Sequence, residues 1–160
     1  MRIREFSVLL CLIAFVYSQE VHYKQQLIFP LQKLHCHGSS IVSVDNHLLV
    51  CWFHGSGERK ADDVTILGSY RKDANWGEPF MMADTPGFPD CNPVMSIDPR
   101  GQLWLFWTVV LDNHWQSALI KYKRTSQYKE YVSWEWQGNI HVKPSHQFSE
   151  LLFKDLDEFV

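Results

Sequence analysis

From residue 39 to residue 136 the apolar positions come in short runs separated by polar or glycine-bearing turns. Residues 39–44, 48–53, 64–70 and a short piece at 80–82 each read as a strand, since brief apolar runs bounded by turn residues fit strands better than helices. Asp45-Asn46 between the first two runs is a two-residue hairpin signal. Trp76-Gly77-Glu78-Pro79 reads as the close of this first unit. The same grammar then returns: a run at 92–97, the turn Asp98-Pro99-Arg100-Gly101, a run at 103–107, a polar loop, and runs at 118–122 and 131–136. Leu48 maps onto Leu103, 55 positions on, and Ile66 onto Ile120, 54 positions on. Two four-stranded units at a shared spacing predict an all-β fold, a partial β-propeller of about two antiparallel blades. An eight-stranded sandwich would account for the strand count but not for the matching offsets.

The flanks read differently. Residues 19–34 form a lead-in whose apolar part, 27–31, is an edge strand or extended segment, because Pro30 is unsuited to a central strand. At the other end, Phe148, Leu151, Leu152, Leu156 and Phe159 recur at helical spacing, so 145–160 is expected to be an amphipathic helix. Its apolar stripe calls for a packing partner. Since propellers close with four or more blades, residues 35–144 are expected to be an incomplete domain, either the N-terminal part of a larger one or a unit that assembles with others.

Residues 1–18 have a short charged start, an apolar run at 6–17 broken only by Ser7, and a small residue, Ser18, at the expected cleavage point. That is the layout of a secretory signal peptide, and the run is too short to span a bilayer. The mature chain is expected to be secreted or periplasmic, with no stable membrane span. Hydrophobic residues make up 46% of the sequence and the net charge is -3. The first value calls for a packed core. The second, without any basic block, excludes a nucleic-acid partner, which needs clustered Lys and Arg. Beyond the signal stand Cys36, Cys51 and Cys91. Cys51 lies within a strand and reads as a buried thiol, while export would permit a Cys36–Cys91 disulfide.

Four-stranded meander topology sorts the polar residues by rim. The loop entering each unit and the loop between its second and third strands share one end. His35, His37, His54, Glu58, Arg59, Asp62 and Asp63 fall there, joined by Asp90, Asn92, Asp112, Asn113 and His114 from the second unit. Asp45-Asn46 and residues 98–101 fall at the opposite end and look structural. A rim that gathers carboxylates, His and Arg is what a pocket requires. Glu58, Asp62 and Asp63 are candidate catalytic carboxylates, because close acidic groups can split their pKa values and leave one protonated as a general acid. His37, Arg59 and Asn92 are candidate substrate contacts. His35-Cys36-His37 has metal-ligand residue types but lacks third and fourth ligands at a diagnostic spacing, so no metal and no cofactor are expected. GxSxG and phosphate-binding glycine loops are absent from the sequence.

The segments 37–42 (HGSSIV), 45–53 (DNHLLVCWF), 55–58 (GSGE) and 63–66 (DVTI) resemble the opening blade of the sialidase-like, BNR-repeat six-bladed propellers. Asn92-Pro93-Val94 and residues 101–106 (GQLWLF) resemble the next blade, and residues 69–76 (SYRKDANW) are similar to a degenerate Asp-box turn. The resemblance covers roughly residues 35–136.

It implies glycoside hydrolysis at the propeller's central face, with a glycan or glycoconjugate as substrate. Family sialidases clamp a sugar carboxylate with three arginines, protonate with an Asp, and attack with a Tyr assisted by Glu, outside the usual two-carboxylate scheme. The guanidinium fork matches a carboxylate in two parallel hydrogen bonds. Here His37 stands where the first arginine should be, which departs from the sialic-acid pattern. The acid/base position falls in the loop holding Glu58 to Asp63. The remaining arginines, the Tyr and its Glu belong to later blades, so this segment alone is expected to be inactive. A non-catalytic glycan- or protein-binding propeller is the alternative.

Overall fold

A computed structural model describes residues 22–143 and 145–157. The signal-peptide expectation at 1–18 lies outside the described residues, as does the end of the helix at 158–160. Among the described residues nine strands form two sheets: β1 (His35–Val44), β2 (His47–Gly55), β3 (Thr65–Lys72), β4 (Asn75–Trp76) and β5 (Phe80–Ala83), then β6 (Asp90–Ile97), β7 (Leu103–Val110), β8 (Ala118–Thr125) and β9 (Trp136–Asn139). The first sheet runs β1-β2-β3, with β4 and β5 both pairing β3; the second runs β6-β7-β8-β9. Every pairing is antiparallel. These are two consecutive propeller blades, as the spacing predicts.

Turn chemistry explains the hairpins. Val44 pairs with His47 across Asp45-Asn46, and Asp45 takes a left-handed φ of 50°, which Asp tolerates better than most residues. In the second blade Asp98 does the equivalent work with its side chain. Its carboxylate accepts the Arg100 and Gln102 amides at 2.9 Å and the Trp104 indole N–H at 3.0 Å. The Gln102 amide, then the Trp104 indole, hold Asp98 below its ordinary pKa. Both inner strands carry a bulge, between His37 and Ser40 and between Cys91 and Val94. Gly38 (φ 58°) and Asn92 (φ 49°) occupy the same left-handed place in each. The repeat is therefore visible in backbone irregularities as well as in strand order.

Two strand expectations shift. The fourth strand of the first blade begins earlier than residue 80: β4 and β5 are two pieces of one interrupted edge, and Trp76 opens it instead of closing the unit. Gly77 keeps contact across the gap, its amide donating to Tyr70 O at 2.8 Å. The degenerate Asp-box segment forms the β3–β4 turn, with Asp73 at φ 54°. In the second blade the edge strand is β9 and not 131–136, because 126–135 folds back as a loop closed by a Gln127–Ser133 bridge. That loop plugs the space between blades. Tyr128 is buried, its carbonyl accepts the Tyr70 hydroxyl, and the Trp134 indole donates to Met82 O at 2.9 Å.

The core lies between the sheets. Leu49, Cys51, Phe53, Val64 and Ile66 of the first blade meet Leu103, Leu105, Trp107, Val109 and Val110 of the second, all at 2% exposure or less. β6 packs across β1, β2 and β3, and the Met95 amide donates to Ser40 Oγ at 2.9 Å. A further anchor is Asp90, wholly buried. Its two oxygens accept the Trp107 indole and the Thr85 amide, each at 2.6 Å.

The described part of the lead-in, residues 22–34, forms no strand. It crosses the far side of the first blade, where Phe29 lies 5.1 Å from Trp52. The expected helix is α1 (His146–Asp157), started by Ser145, whose hydroxyl accepts the Phe148 amide at 3.1 Å. Its stripe is not packed: none of its described residues is buried, and Phe148, Leu151, Leu152 and Leu156 are each about half exposed. No helix among the described residues is long and apolar enough to cross a membrane.

Candidate active-site rim

The loop from Ser56 to Val64, joining β2 to β3, carries most of the candidates. Asp63 is its brace. Its carboxylate accepts the Ser56 hydroxyl at 2.8 Å and the Ser56 amide at 3.1 Å to each oxygen, closing the loop on itself. Those bonds, the hydroxyl first, pull Asp63 below its ordinary pKa. In this arrangement Asp63 is a held anion, the reverse of the raised pKa that a proton donor needs. Asp62 beside it is exposed. Glu58 and Arg59 form a loose pair at 3.8 Å with side chains 38% and 31% exposed, so each has one side free for a ligand.

This loop leans onto the second blade. The Arg59 guanidinium sits 5.9 Å from the Trp115 ring, in the 3-10 turn Trp115–Ser117 between β7 and β8. Burial pushes the Cys91 thiol up to about 11, and the nearby charges of Glu58 and Asp90 add to the rise while Arg59 opposes it. Glu58 and Arg59 stand in the β2–β3 loop, at the same end of the blades as the entry to β6, where Asn92 follows Cys91 and is exposed. Asn92 also reaches the first blade: a Cβ on Gly38 would come within 3.3 Å of its Oδ1. His37, next to Gly38, is exposed, with its ring 5.5 Å from both Phe53 and His35. The structure thus gathers Glu58, Arg59, His37 and Asn92 at one rim, with Asp62 and Asp63 on the same loop. Asp45 and Asp98 sit in the hairpin turns at the other end of their strands.

Three features depart from the sequence reading. The Cys36–Cys91 disulfide does not form, and Cys36, Cys51 and Cys91 are all free. β1 pairs Cys36 opposite His54, so the exposed thiol meets His54 Nδ1 at 3.0 Å, while Cys91 points into the core. Asp90, placed with the rim residues by topology, is instead turned inward onto Trp107. Burial raises its pKa despite those hydrogen bonds. Trp115, which carries the Arg59 contact, was not anticipated, because pairing a loop guanidinium with a loop indole requires knowing how the two blades dock. Cys36–His54 was hidden as well, since counting back from the Asp45-Asn46 turn sets Cys36 opposite Gly55, and only the bulge between His37 and Ser40 brings it opposite His54. Among the described residues no group of three or more His, Cys, Asp or Glu is placed to hold a metal.

A family model for a BNR repeat-like domain matches residues 46–154. The chain belongs to the BNR repeat-like family. The match opens in the β1–β2 turn and runs through both blades into α1. Among solved structures, an alpha-L-arabinanase of Penicillium chrysogenum complexed with arabinobiose superposes with a TM-score of 0.53 and 14% identity, over 68% of this chain and 32% of its own. At that identity the likeness concerns the fold alone, and the BNR repeat-like chain spans about a third of the arabinanase's length. No curated protein matches the chain.

Proposed function

We propose that this BNR repeat-like chain supplies one sector of the sugar-cleaving face of an exported, sialidase-like glycoside hydrolase. The observation that supports this most is the acidic loop of the first blade leaning onto the second, with the Arg59 guanidinium over the Trp115 ring. Glu58 is the leading general acid/base: partly exposed and only loosely paired, it can pass a proton to a leaving glycosidic oxygen as the C–O bond breaks. Asp62 is the alternative on the same loop, and Asp63 would first have to shed Ser56. His37, Arg59 and Asn92 contact the sugar. Arg59 presents a fork to a carboxylate, and Trp115 offers an apolar face beside it. The basic and apolar run at 1–18 directs export.

The test is the product of the complete gene assayed on aryl glycosides, sialosides and arabinosides among them. Glu58→Gln should lower kcat/KM by about 10²- to 10⁴-fold, the usual worth of a positioned proton donor. Full activity in the combined variant Glu58→Gln, Asp62→Asn, Asp63→Asn would remove the assignment. One observation favours the non-catalytic reading, a glycan-binding rim: both Asp63 oxygens are engaged by Ser56. On that reading the wild-type gene product is inactive on the whole panel yet binds glycans, and Arg59→Ala weakens the binding.

A further inference from the structure

Each blade sets an arginine on its third strand across from a tryptophan on its fourth: Arg71 opposite Trp76 in the first, Arg124 opposite Trp136 in the second. The second arginine is engaged. Its guanidinium donates to Gln102 Oε1 at 2.9 Å and lies 5.6 and 6.0 Å from the Trp104 and Trp136 rings. The first is not. Arg71 Nε is shut off from solvent and has no hydrogen-bond partner among the described residues. None of the ion pairs formed there includes Arg71 or Lys24. A charged donor held out of water without an acceptor is destabilising, so an acceptor bound here gains more than it would on an open surface.

A cleft of about 300 Å³ opens at this place, walled by Lys24, Gln26, Arg71 and Trp76. Its two sides already meet, because Gln26 of the lead-in donates from Nε2 to Ala74 O in the β3–β4 turn at 3.3 Å. The cleft is thus made by two parts of this chain that pack together, at the outer edge of the first blade. Arg71 pairs with Leu48, next to the Asp45-Asn46 hairpin, so the cleft lies at the opposite end of the strands from Glu58 and Arg59. Two cations and no carboxylate line it. Lys72, the next residue along β3, turns away and pairs with Glu130. Trp76 is half-buried and supplies the one large apolar surface in the lining.

We propose that this cleft is a second ligand site, remote from the catalytic rim, that binds one acidic sugar of the hexuronate class by its carboxylate. The guanidinium edge formed by Arg71 Nε and one Nη matches the two carboxylate oxygens in parallel hydrogen bonds. Lys24 adds a mobile point charge from the lead-in, and the Trp76 indole takes the apolar side of the sugar ring. The cleft volume stands at the small end of ligand pockets, which suits a single ring and not a glycan chain. The site goes beyond the catalytic reading and is independent of it, because it is read by binding at residues the rim does not use.

The experiment is a titration of the isotope-labelled chain with sodium glucuronate at constant ionic strength, followed by the arginine Nε–H and tryptophan indole N–H signals in proton–nitrogen correlation spectra. The Arg71 signal, identified by its loss in Arg71→Lys, and the Trp76 signal should shift together and saturate. Glucose, benzoate and sulfate should each bind at least about 10-fold more weakly, since each lacks the carboxylate, the sugar ring or both. Arg71→Lys should weaken glucuronate binding by about 10-fold or more, and Lys24→Gln by about 2- to 5-fold. Far-UV circular dichroism checks folding, and Lys24, exposed on the lead-in, decides the matter should Arg71→Lys fail to fold. Glu58→Gln should leave this binding unchanged, which separates the cleft from the rim. No saturable shift at Arg71, as for a cleft that holds only water, would overturn the proposal. So would sulfate or benzoate binding as tightly as glucuronate, or an affinity indifferent to Lys24→Gln.

Discussion

Asp90→Ala is expected to destabilise the fold by about 2–4 kcal/mol. The carboxylate is wholly buried and accepts two donors at 2.6 Å, the Trp107 indole and the Thr85 amide. Removing it leaves the indole N–H, 2% exposed with its residue, without a partner, at about 1–3 kcal/mol for an unsatisfied buried group. Thr85 is half-buried, so water takes up its amide and that loss is about 0.5–1.5 kcal/mol. For a chain of this size the sum corresponds to a fall in Tm of roughly 10 °C. The assay is urea unfolding followed by Trp fluorescence, run as a double-mutant cycle with Trp107→Phe. The two residues should couple by about 1–3 kcal/mol. Additivity within about 0.5 kcal/mol would show that the indole and the carboxylate act independently, and would refute the reasoning.

The same carboxylate sets a pH dependence. Burial raises its folded pKa above the ordinary 3.8, so the stability it contributes is complete below that value and is lost as pH rises through the folded one. Wild type should therefore lose stability relative to Asp90→Asn across that window, and a flat difference between the two would contradict the assignment. Gly38→Ala should cost about 1–3 kcal/mol, since alanine is strained at φ 58° and its Cβ would meet Phe53 Cε1 at 2.9 Å; unchanged thermal unfolding would refute this. Cys36 should alkylate at neutral pH more slowly than a free thiol, because burial raises its pKa. Cys51 and Cys91, buried and pushed up to about 12 and about 11, should label only on unfolding, and mass spectrometry of iodoacetamide adducts distinguishes the three.

Strand order, the two-blade repeat and the rim sorting were legible because they depend on local signals: apolar runs, turn residues and fixed offsets. The Asp45-Asn46 turn sets the β1–β2 register, and register sets which side chains share a face. What stayed hidden depends on tertiary contacts. Trp76 opens an edge strand because Gly77 bonds back to Tyr70, and residues 131–136 become a plug because Trp134 and Tyr128 find partners in the first blade. Asp90 shows the limit of topology, which places a residue at a rim without saying whether its side chain turns inward. Asp63 shows the limit of charge counting: two adjacent carboxylates suggested split pKa values, yet the nearest strong partner of Asp63 is Ser56.

The central claim is that the loop after β2 and the entry to β6 meet at one rim, with the β6–β7 turn at the other. Spin labels at positions 58 and 92, compared with labels at 58 and 100 in a Cys36→Ser background, test it by pulsed dipolar distance measurement. The 58–92 distance should be the shorter, by roughly the length of an eight-residue strand, about 26 Å. Equal distances, or a longer 58–92 separation, would place Glu58 and Asn92 apart and leave the proposed site without a pocket.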